Sequence, residues 1–184
     1  INIAYIGINN HEIDLIAPFI EALKCENVKN SYRLILYGNT ISNEKWNQLG
    51  LSEIAEYRGW LDYSKDVSTL KDIDVFLQLL DDNNVSKAGW PNKLGDYLAF
   101  GKPVILSPYG DIIDFVKNEK GFFIVEYNKY SILKILQEIK DIPYSDLKTM
   151  GYANRQLAEK ISWKNRAKNI EYICNKIRFN NETV

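Results

Sequence analysis

The chain has 184 residues, of which 46% are hydrophobic and 26% are charged, a composition typical of one soluble globular domain. Its formal net charge of -1 provides no basic surface of the kind that neutralises a phosphate backbone, so the sequence argues against a nucleic-acid partner. Apolar runs such as residues 75–80 are too short to cross a bilayer, and no signal peptide is visible before the first strand-like segment. These features predict a cytoplasmic protein.

Strand-like and helix-like segments alternate along the chain. The strand-like segments are short apolar runs, at residues 3–8, 33–37, 54–61 with an interruption at Gly59, 74–80, 103–107 and 121–125. The helix-like segments repeat apolar residues every three or four positions, at 11–25, 43–49, 64–70, 92–100, 111–118, 131–139 and in two stretches from 145 onward that separate near 161–162. Residues 81–88 are predicted to form a polar loop, and residues 180–184 a frayed tail.

Local signals set several expected helix boundaries. Ser64, Asn92 and Ser162 are suitable N-caps for the helices that follow them. Pro18 falls near the middle of the first helical segment, so that helix is either kinked or begins later than His11.

The cysteines and the histidine of the sequence indicate neither a metal site nor a disulfide. Cys25 and Cys174 both lie among apolar neighbours in helical segments, which favours two buried thiols over a disulfide and fits a reducing compartment. One histidine and two separate cysteines form no zinc-binding pattern. No metal and no other cofactor is expected.

The pattern of strands and helices indicates the fold class. Nearly continuous apolar strands separated by amphipathic helices favour a parallel sheet covered by helices on both faces. No internal repeat, linker or low-complexity stretch divides the chain. The sequence therefore predicts a single doubly wound, Rossmann-like α/β domain over residues 1–179.

One loop has an unusual composition for a ligand site. In an open α/β sheet the ligand lies beyond the carboxyl ends of the strands, and the candidate loops here are residues 7–11, 38–40, 59–62 and 81–93. The last loop brings a glycine, an aromatic residue, a proline and a lysine to the start of a helix, where backbone N–H groups favour a phosphate. Asp96, one turn further on, could hold a ribose hydroxyl.

A purely structural interpretation explains the same residues. Asn92 is a good N-cap, Lys93 could simply be solvated, and Asp96 could complement the helix dipole. Spacing alone does not separate the two interpretations. The chain has neither a Gly-x-Gly-x-x-Gly turn after its first strand nor a Gly-Lys-Ser/Thr loop, which argues against a nicotinamide cofactor and a P-loop.

Residues 91–110, PNKLGDYLAFGKPVILSPYG, resemble the donor-binding motif of the group 1 glycosyltransferases. Shorter matches to that family occur in the expected order along nearly the whole chain. They are the first strand with Gly7, Asp14-Leu15, residues 34–38, Tyr57-Arg58-Gly59, Asp74-Val75-Phe76, Gly121-Phe122 and Ile161-Ser162-Trp163.

The resemblance implies the C-terminal, donor-binding half of a GT-B fold. Such a protein transfers a glycosyl group from a UDP- or GDP-sugar to a polysaccharide, lipid-linked or other glycan acceptor, with retention at the anomeric carbon and without a metal. The chain begins in the first strand of the donor domain, so we expect an N-terminal acceptor domain in the same or another chain and no activity from this half alone. A peripheral contact with the inner face of the membrane is also possible through that acceptor domain.

The resemblance also implies roles for individual residues. Asp96, where the family more often has glutamate, would hold the donor ribose. The loop that touches the sugar and the diphosphate would comprise Gly89, Trp90, Pro91, Asn92 and Lys93, with Gly7 in the turn after the first strand. The base would pack near Gly59, Trp60 and Leu61, although Trp60 could instead be a core residue.

The chain departs from the family pattern at the phosphate groups. Ile8 stands where the family often has an arginine, and His11 stands roughly where it has a lysine. Ala88, with Lys87 beside it, replaces the first acid of the paired-acid motif. Lys93, Lys87 or His11 must then supply the charge for a phosphate, although a lone loop histidine is also a common surface residue.

Three other interpretations are open. The chain could be a non-catalytic or degenerate nucleotide-sugar-binding module, which the loss of family residues at Ile8 and Ala88 favours. It could be a fragment of a GT-B sugar epimerase, against which the motif at 91–103 argues. A flavodoxin-like or receiver-like domain is disfavoured because Asn9 and Asn10 replace the acids expected after the first strand.

Overall fold

The described part of the chain contains one six-stranded sheet. The computed structural model describes residues 1–107 and 109–181, with only the backbone described at 179–181. The strands are β1 (Asn2–Ile8), β2 (Arg33–Gly38), β3 (Ala55–Tyr57), β4 (Val75–Gln78), β5 (Val104–Leu106) and β6 (Phe122–Ile124). All neighbouring strands pair in parallel, in the order β3-β2-β1-β4-β5-β6, which confirms the predicted doubly wound sheet.

Helices connect the strands and cover both faces of the sheet. They are α1 (Glu12–Leu15), α2 (Ala17–Leu23), α3 (Asn43–Gln48), α4 (Asn84–Ala88), α5 (Asn92–Ala99), α6 (Ile112–Val116), α7 (Lys129–Ile139), α8 (Tyr144–Lys160) and α9 (Trp163–Asn181). Two short 3₁₀ turns, Leu51–Glu53 and Val67–Leu70, flank β3. None of the described helices is long and apolar enough to span a membrane.

Two hydrophobic cores lie on opposite faces of the sheet. Ile3 and Tyr5 of β1 belong to the core that α1, α2 and α7 cover, whereas Ala4 and Ile6 belong to the core under α5, α6 and α8. Because alternate side chains of a strand point to opposite faces, β1 is buried on both sides. This explains why its sequence is a continuous apolar run.

The strand order places the ligand crevice. Connections run from β1 outward to β2 and β3 on one side, and then cross to β4, β5 and β6 on the other. The direction reverses between β1 and β4, and open α/β sheets bind ligands outside the carboxyl ends of the strands at such a switch point. The segments that leave β1 and β4 are therefore the ones that can form a site.

The first predicted helix is broken into α1 and α2. Ile16 adopts φ -101° and ψ 9°, which interrupts the helix between Leu15 and Ala17. Pro18 lies in the first turn of α2, where its missing N–H breaks no intrahelical hydrogen bond. The proline therefore starts a second helix after the break.

Strand β3 is shorter than the predicted strand 54–61. It ends at Tyr57, and the side chain of the next residue, Arg58, pairs with Asp72, with a guanidinium nitrogen 2.7 Å from a carboxylate oxygen. The hydrogen bonds from Arg58 hold the pKa of the Asp72 carboxyl below its usual range. Gly59 then adopts φ +76°, a left-handed conformation that ends the extended backbone.

One of the two predicted serine caps is wrong. Ser64 caps no helix: its N–H and hydroxyl both donate to the Asp62 carboxylate, and the 3₁₀ turn begins after Asp66. Ser162 does cap α9, because its hydroxyl accepts the N–H of Asn165 at 3.4 Å.

The segment before α5 is more ordered than predicted. The expected polar loop 81–88 contains the short helix α4, whose N-cap Asn83 accepts the N–H of Ser86 at 2.8 Å. The N-cap of α5 is Pro91, and Asn92 is the first helical residue, so the predicted Asn92 cap is wrong.

The two cysteines differ in exposure. Cys25 is partly buried, but Cys174 is exposed on α9, so the prediction of two buried thiols is wrong for Cys174. Both thiols are free. Helix α9 continues to Asn181, and residues 182–184 of the predicted tail lie outside the described residues.

Candidate functional site

Three adjacent cavities lie around the start of α5. The switch cavity, of about 270 Å³, is lined by Tyr5, Glu12, Leu15, Gln78, Leu79, Leu80, Pro91, Asn92 and Lys93. The helix cavity, of about 330 Å³, is lined by Trp90, Asn92, Gly95, Asp96, Ala99, Ala158, Ile161, Ser162, Trp163 and Arg166. The loop cavity, of about 170 Å³, is lined by Leu80, Val85, Ser86, Gly89, Trp90 and Pro91. Neighbouring cavities share the wall residues Leu80, Trp90, Pro91 and Asn92, and we call the three cavities together the groove.

Helix α5 is fixed against the sheet by its buried face. Leu94, Tyr97 and Leu98 are fully buried at helical spacing. The Tyr97 ring stacks on Phe76 of β4 with centroids 4.3 Å apart, and its hydroxyl accepts the N–H of Ile6 at 3.1 Å. These contacts hold the start of α5 over the gap between β1 and β4.

Lys93 lies in the switch cavity with its charge already paired. Its Nζ is 3.1 Å from a carboxylate oxygen of Glu12 and 3.1 Å from the hydroxyl of Tyr5. The Tyr5 hydroxyl also donates a hydrogen bond to Glu12, and the Lys93 Nζ lies 4.5 Å from the centre of the Tyr5 ring. Burial, and then the neighbouring Glu12, raises the pKa of Tyr5 above its ordinary value. Lys93 is therefore not the freely solvated lysine of the structural interpretation.

Gly7 makes room for this lysine. The β1–β2 register shifts between Ile6 and Ile8, so Gly7 is the irregular residue, and it adopts φ +86°. A Cβ atom at Gly7 would lie 2.9 Å from Cε of Lys93. The predicted involvement of Gly7 has a geometric basis in both its conformation and its contact.

Asp96 lies in the helix cavity and is exposed. The hydroxyl of Tyr63 donates to its carboxylate at 3.1 Å. Burial, and then the Asp96 carboxylate, raises the pKa of Tyr63 to about 12. This single side-chain hydrogen bond leaves carboxylate lone pairs that could accept from a ligand.

Aromatic side chains and a cation border the helix cavity. The guanidinium of Arg166 lies 5.9 Å from the ring centre of Trp90 and 5.6 Å from that of Trp163. Trp90 also packs edge-on against Phe115 with ring centroids 5.0 Å apart. The predicted loop residues Gly89, Trp90 and Pro91 thus lie together at the groove.

The other predicted residues lie outside these walls. Trp60 is 70% exposed, so the alternative that it is a core residue is wrong, whereas Leu61 is buried in the core. The carbonyl of Gly59 accepts the N–H of Gly38 at 2.9 Å. His11 is exposed at the start of α1. Among the described residues, none of these four predicted ones lines any of the three cavities.

Sequence reasoning missed several wall residues. Tyr5 and Gln78 lie in segments whose apolar runs predict only buried strands, and Glu12 follows His11, the residue of this loop that was predicted to bind the donor. Gln78 is 4% exposed, and its Oε1 has no hydrogen-bond partner among the described residues. A polar residue near the carboxyl end of an apolar strand was an available signal, but no local pattern indicates Arg166 in the cavity wall or Tyr63 as the partner of Asp96.

Comparison with known proteins identifies relatives. Residues 1–141 match the profile of the family described as "Glycosyl transferases group 1". No curated protein sequence matches the chain.

Solved structures share the fold at low sequence identity. The sucrose-phosphate synthase of Thermosynechococcus elongatus superposes with a TM-score of 0.72 at 14% identity, over 96% of this chain and 45% of that one. Anabaena HepE in complex with UDP and glucose superposes with a TM-score of 0.66 at 12% identity, over 95% of this chain and 48% of that one. The C-terminal domain of a Francisella tularensis group 1 family glycosyl transferase, LpcC, superposes with a TM-score of 0.60 at 14% identity, over 87% of this chain and 84% of that one. The chain thus spans about half the length of the first two structures.

Proposed function

The chain belongs to the group 1 glycosyltransferases, and we propose that it is their donor-binding domain, which holds a UDP- or GDP-sugar at the start of α5. One observation carries the proposal. Lys93 and Asp96, on the same helix, line two adjacent cavities, of which that of Lys93 lies at the switch point of the sheet and that of Asp96 lies beside α8 and α9. A cation beside one cavity and a carboxylate beside the other match the two polar parts of a nucleoside diphosphate.

The diphosphate fits the switch cavity. The first turn of α5 directs partial positive charge toward its N-terminus, and Lys93 adds a full charge there. The groups that attract the ground-state diphosphate would also stabilise the negative charge that grows on it as the glycosidic bond breaks. This is the chemistry that a glycosyltransferase needs from its donor domain.

The nucleoside fits the helix cavity. Asp96 is exposed there, and its carboxylate accepts only the Tyr63 hydroxyl among the described side chains, so it can accept hydrogen bonds from ribose hydroxyls. Trp90 and Trp163 offer aromatic surface in the same wall. The fold shared with HepE, which was solved with UDP and glucose, supports a nucleotide-sugar as the ligand.

We propose that catalysis requires a second, acceptor-binding domain in the same or another chain. The acceptor would be a polysaccharide, a lipid-linked glycan or another glycan, and transfer would proceed with retention and without a metal. Residues 1–179 would form the donor domain, which would act in the cytoplasm, with any membrane contact made through the acceptor domain.

A non-catalytic nucleotide-sugar-binding module is the second candidate. Its support is the pairing of Lys93 with Glu12, added to the absence of an arginine at Ile8 and of an acid at Ala88. Such a module would bind the nucleotide but would transfer no sugar when its partner domain is supplied.

Replacement of Asp96 tests the ribose contact. We expect Asp96→Ala to weaken binding of UDP or GDP, whichever the wild type prefers, by about 10- to 100-fold, because a charged hydrogen bond contributes about 1.5–3 kcal/mol. Isothermal titration calorimetry measures the change. Asp146→Ala is the matched control, since Asp146 is also an exposed helical aspartate but lines none of the cavities described around α5.

Two results would contradict this assignment. If a folded wild-type chain binds neither nucleotide at millimolar concentration, the donor site is wrong. If Asp96→Ala folds and binds as tightly as the wild type, the role of Asp96 is wrong.

A further inference from the structure

We propose that Glu12 is a specificity-determining residue of the switch cavity, an internal anion that a ligand's diphosphate must displace from Lys93. The inference rests on the proposed function in one respect, because the displacing anion is taken to be the donor's diphosphate. It assigns a role to a residue that the donor-binding motif does not include.

The carboxylate of Glu12 already contacts the ammonium of Lys93, the group that would attract a phosphate oxygen. A lysine ammonium has three donors, and two of them already reach Glu12 and the Tyr5 hydroxyl at 3.1 Å. Among the described residues that line the switch cavity, Lys93 and Glu12 are the charged ones. The cavity wall therefore carries no net charge, and its cation is committed to an acid of the protein itself.

The pair is held from the buried side. Tyr5 is 1% exposed, and its hydroxyl bridges Glu12 and Lys93 from inside the sheet. Gly7 packs against the lysine, since a Cβ there would come within 2.9 Å of Cε and 3.2 Å of Nζ. These contacts restrict the lysine to the cavity, so it meets an anion there.

The pair itself is accessible from the groove. The side chains of Lys93 and Glu12 are 29% and 31% exposed, so solvent and a small anion can reach both. A polyanion that approaches Lys93 is attracted by the lysine and repelled by the carboxylate beside it. The repulsion increases with the charge of the ligand, whereas an uncharged nucleoside would not experience it.

A structural tie between α1 and α5 is the competing explanation of the same ion pair. The two explanations predict different effects of Glu12→Gln on anion binding. If the ion pair only joins α1 to α5, its removal would loosen the site, and the affinity for an anion would fall or stay the same. If Glu12 competes with the anion for Lys93, its removal would increase that affinity.

Titrations with inorganic pyrophosphate test the inference without a nucleotide. We expect Glu12→Gln to tighten pyrophosphate binding by about 5- to 10-fold at low ionic strength, a gain limited by the partial exposure of the pair. The gain should be smaller for inorganic phosphate. It should vanish in the double variant Glu12→Gln/Lys93→Gln. NMR titration of the ¹⁵N-labelled chain would measure these affinities.

Two further variants complete the test. Glu53→Gln is the matched control, because Glu53 pairs with Lys29 at the surface and lines none of the three cavities, and we expect unchanged affinity. Tyr5→Phe removes the hydroxyl that holds Glu12 and should tighten pyrophosphate binding in the same direction by less. If Glu12→Gln fails to fold, Tyr5→Phe decides the question.

The outcomes separate this inference from the proposed function. Unchanged, weaker or undetectable pyrophosphate binding in a folded Glu12→Gln variant would overturn the inference, even if UDP or GDP binds with the expected dependence on Asp96. Tighter pyrophosphate binding supports it. If pyrophosphate binding tightens but no variant binds UDP or GDP, the donor assignment fails while the anion site and its competing carboxylate stand.

Discussion

The two ends of the candidate site lie on the same helix and differ in how their charges are satisfied. Lys93 is paired with Glu12 and hydrogen-bonded to a buried tyrosine. Asp96 is exposed and receives one hydrogen bond from Tyr63. The proposed phosphate end is therefore neutralised by the protein itself, whereas the proposed ribose end presents a carboxylate that a ligand can use.

The contrast arises from what each side of α5 faces. Lys93 points over the carboxyl end of β1, where Glu12 begins α1. Asp96 points into a cavity bordered by α8 and α9, where Arg166 lies against two tryptophan rings. Two residues with the spacing of a single helical turn thus acquire different electrostatic surroundings.

The largest effect on stability is expected from the substitution of Gly7, which packs against Lys93 at the proposed phosphate end. Gly7→Ala should lower the free energy of unfolding by about 1–2 kcal/mol, because its left-handed φ is unfavourable for a residue with a Cβ. The added methyl group would also displace Lys93 and reduce pyrophosphate affinity. Urea denaturation and the same titrations measure the two effects. An unchanged unfolding midpoint would show that the backbone at this position differs from the one described.

High pH should reduce the stability that the tyrosine at each end contributes. The pKa of Tyr63 is raised to about 12, and burial raises that of Tyr5 further, from an ordinary 10.0. The folded chain then keeps protons that the unfolded chain loses, so this stability is complete below about pH 10 and declines above it. In urea denaturation at about pH 9 and about pH 11, Tyr5→Phe and Tyr63→Phe should each flatten this decline by a similar amount, because the folded pKa of each tyrosine lies above that range. A decline that one of the variants leaves unchanged would contradict the raised pKa of that tyrosine.

The smallest effect is expected from the substitution of Gly95, which tests whether the nucleoside lies in the helix cavity. Gly95→Ala should raise the free energy of unfolding by about 0.5–1 kcal/mol, because it removes a glycine from a helix interior. A Cβ there meets no atom within 4 Å. Because Gly95 lines the helix cavity, nucleotide affinity should fall by less than in Asp96→Ala, while pyrophosphate affinity stays constant. An unchanged nucleotide affinity would place the nucleoside away from this wall.

Local patterns were sufficient for the elements whose structure depends on local burial. The apolar run that became β1 and the helical spacing of Leu94, Tyr97 and Leu98 predicted those elements to within a residue or two. Strand β3 was predicted too long because residues 58–61 were included with it, whereas the left-handed Gly59 ends the extended backbone. The ion pair between Arg58 and Asp72, 14 residues apart, joins segments that propensity and periodicity do not connect.

The same limit applies to the site. Gly89, Trp90, Pro91, Asn92, Lys93 and Asp96 were predicted from one contiguous motif, and the structure places all of them on the groove. Trp60 and His11 were placed by resemblance, and neither lines a described cavity. Glu12 was missed because it is 81 residues from the lysine that it pairs with.

The sequence by itself determined the fold class and the family, and it predicted a site at the start of α5, because each depends on a contiguous pattern of apolar residues, glycines and a helix start. Only the tertiary structure decided the charge state of that site. Parallel strands bring together loops that are distant in sequence, and at the switch point between β1 and β4 this places Glu12 beside Lys93 and leaves Asp96 exposed. The protonation, pairing and accessibility of ionisable groups depend on such neighbours in space.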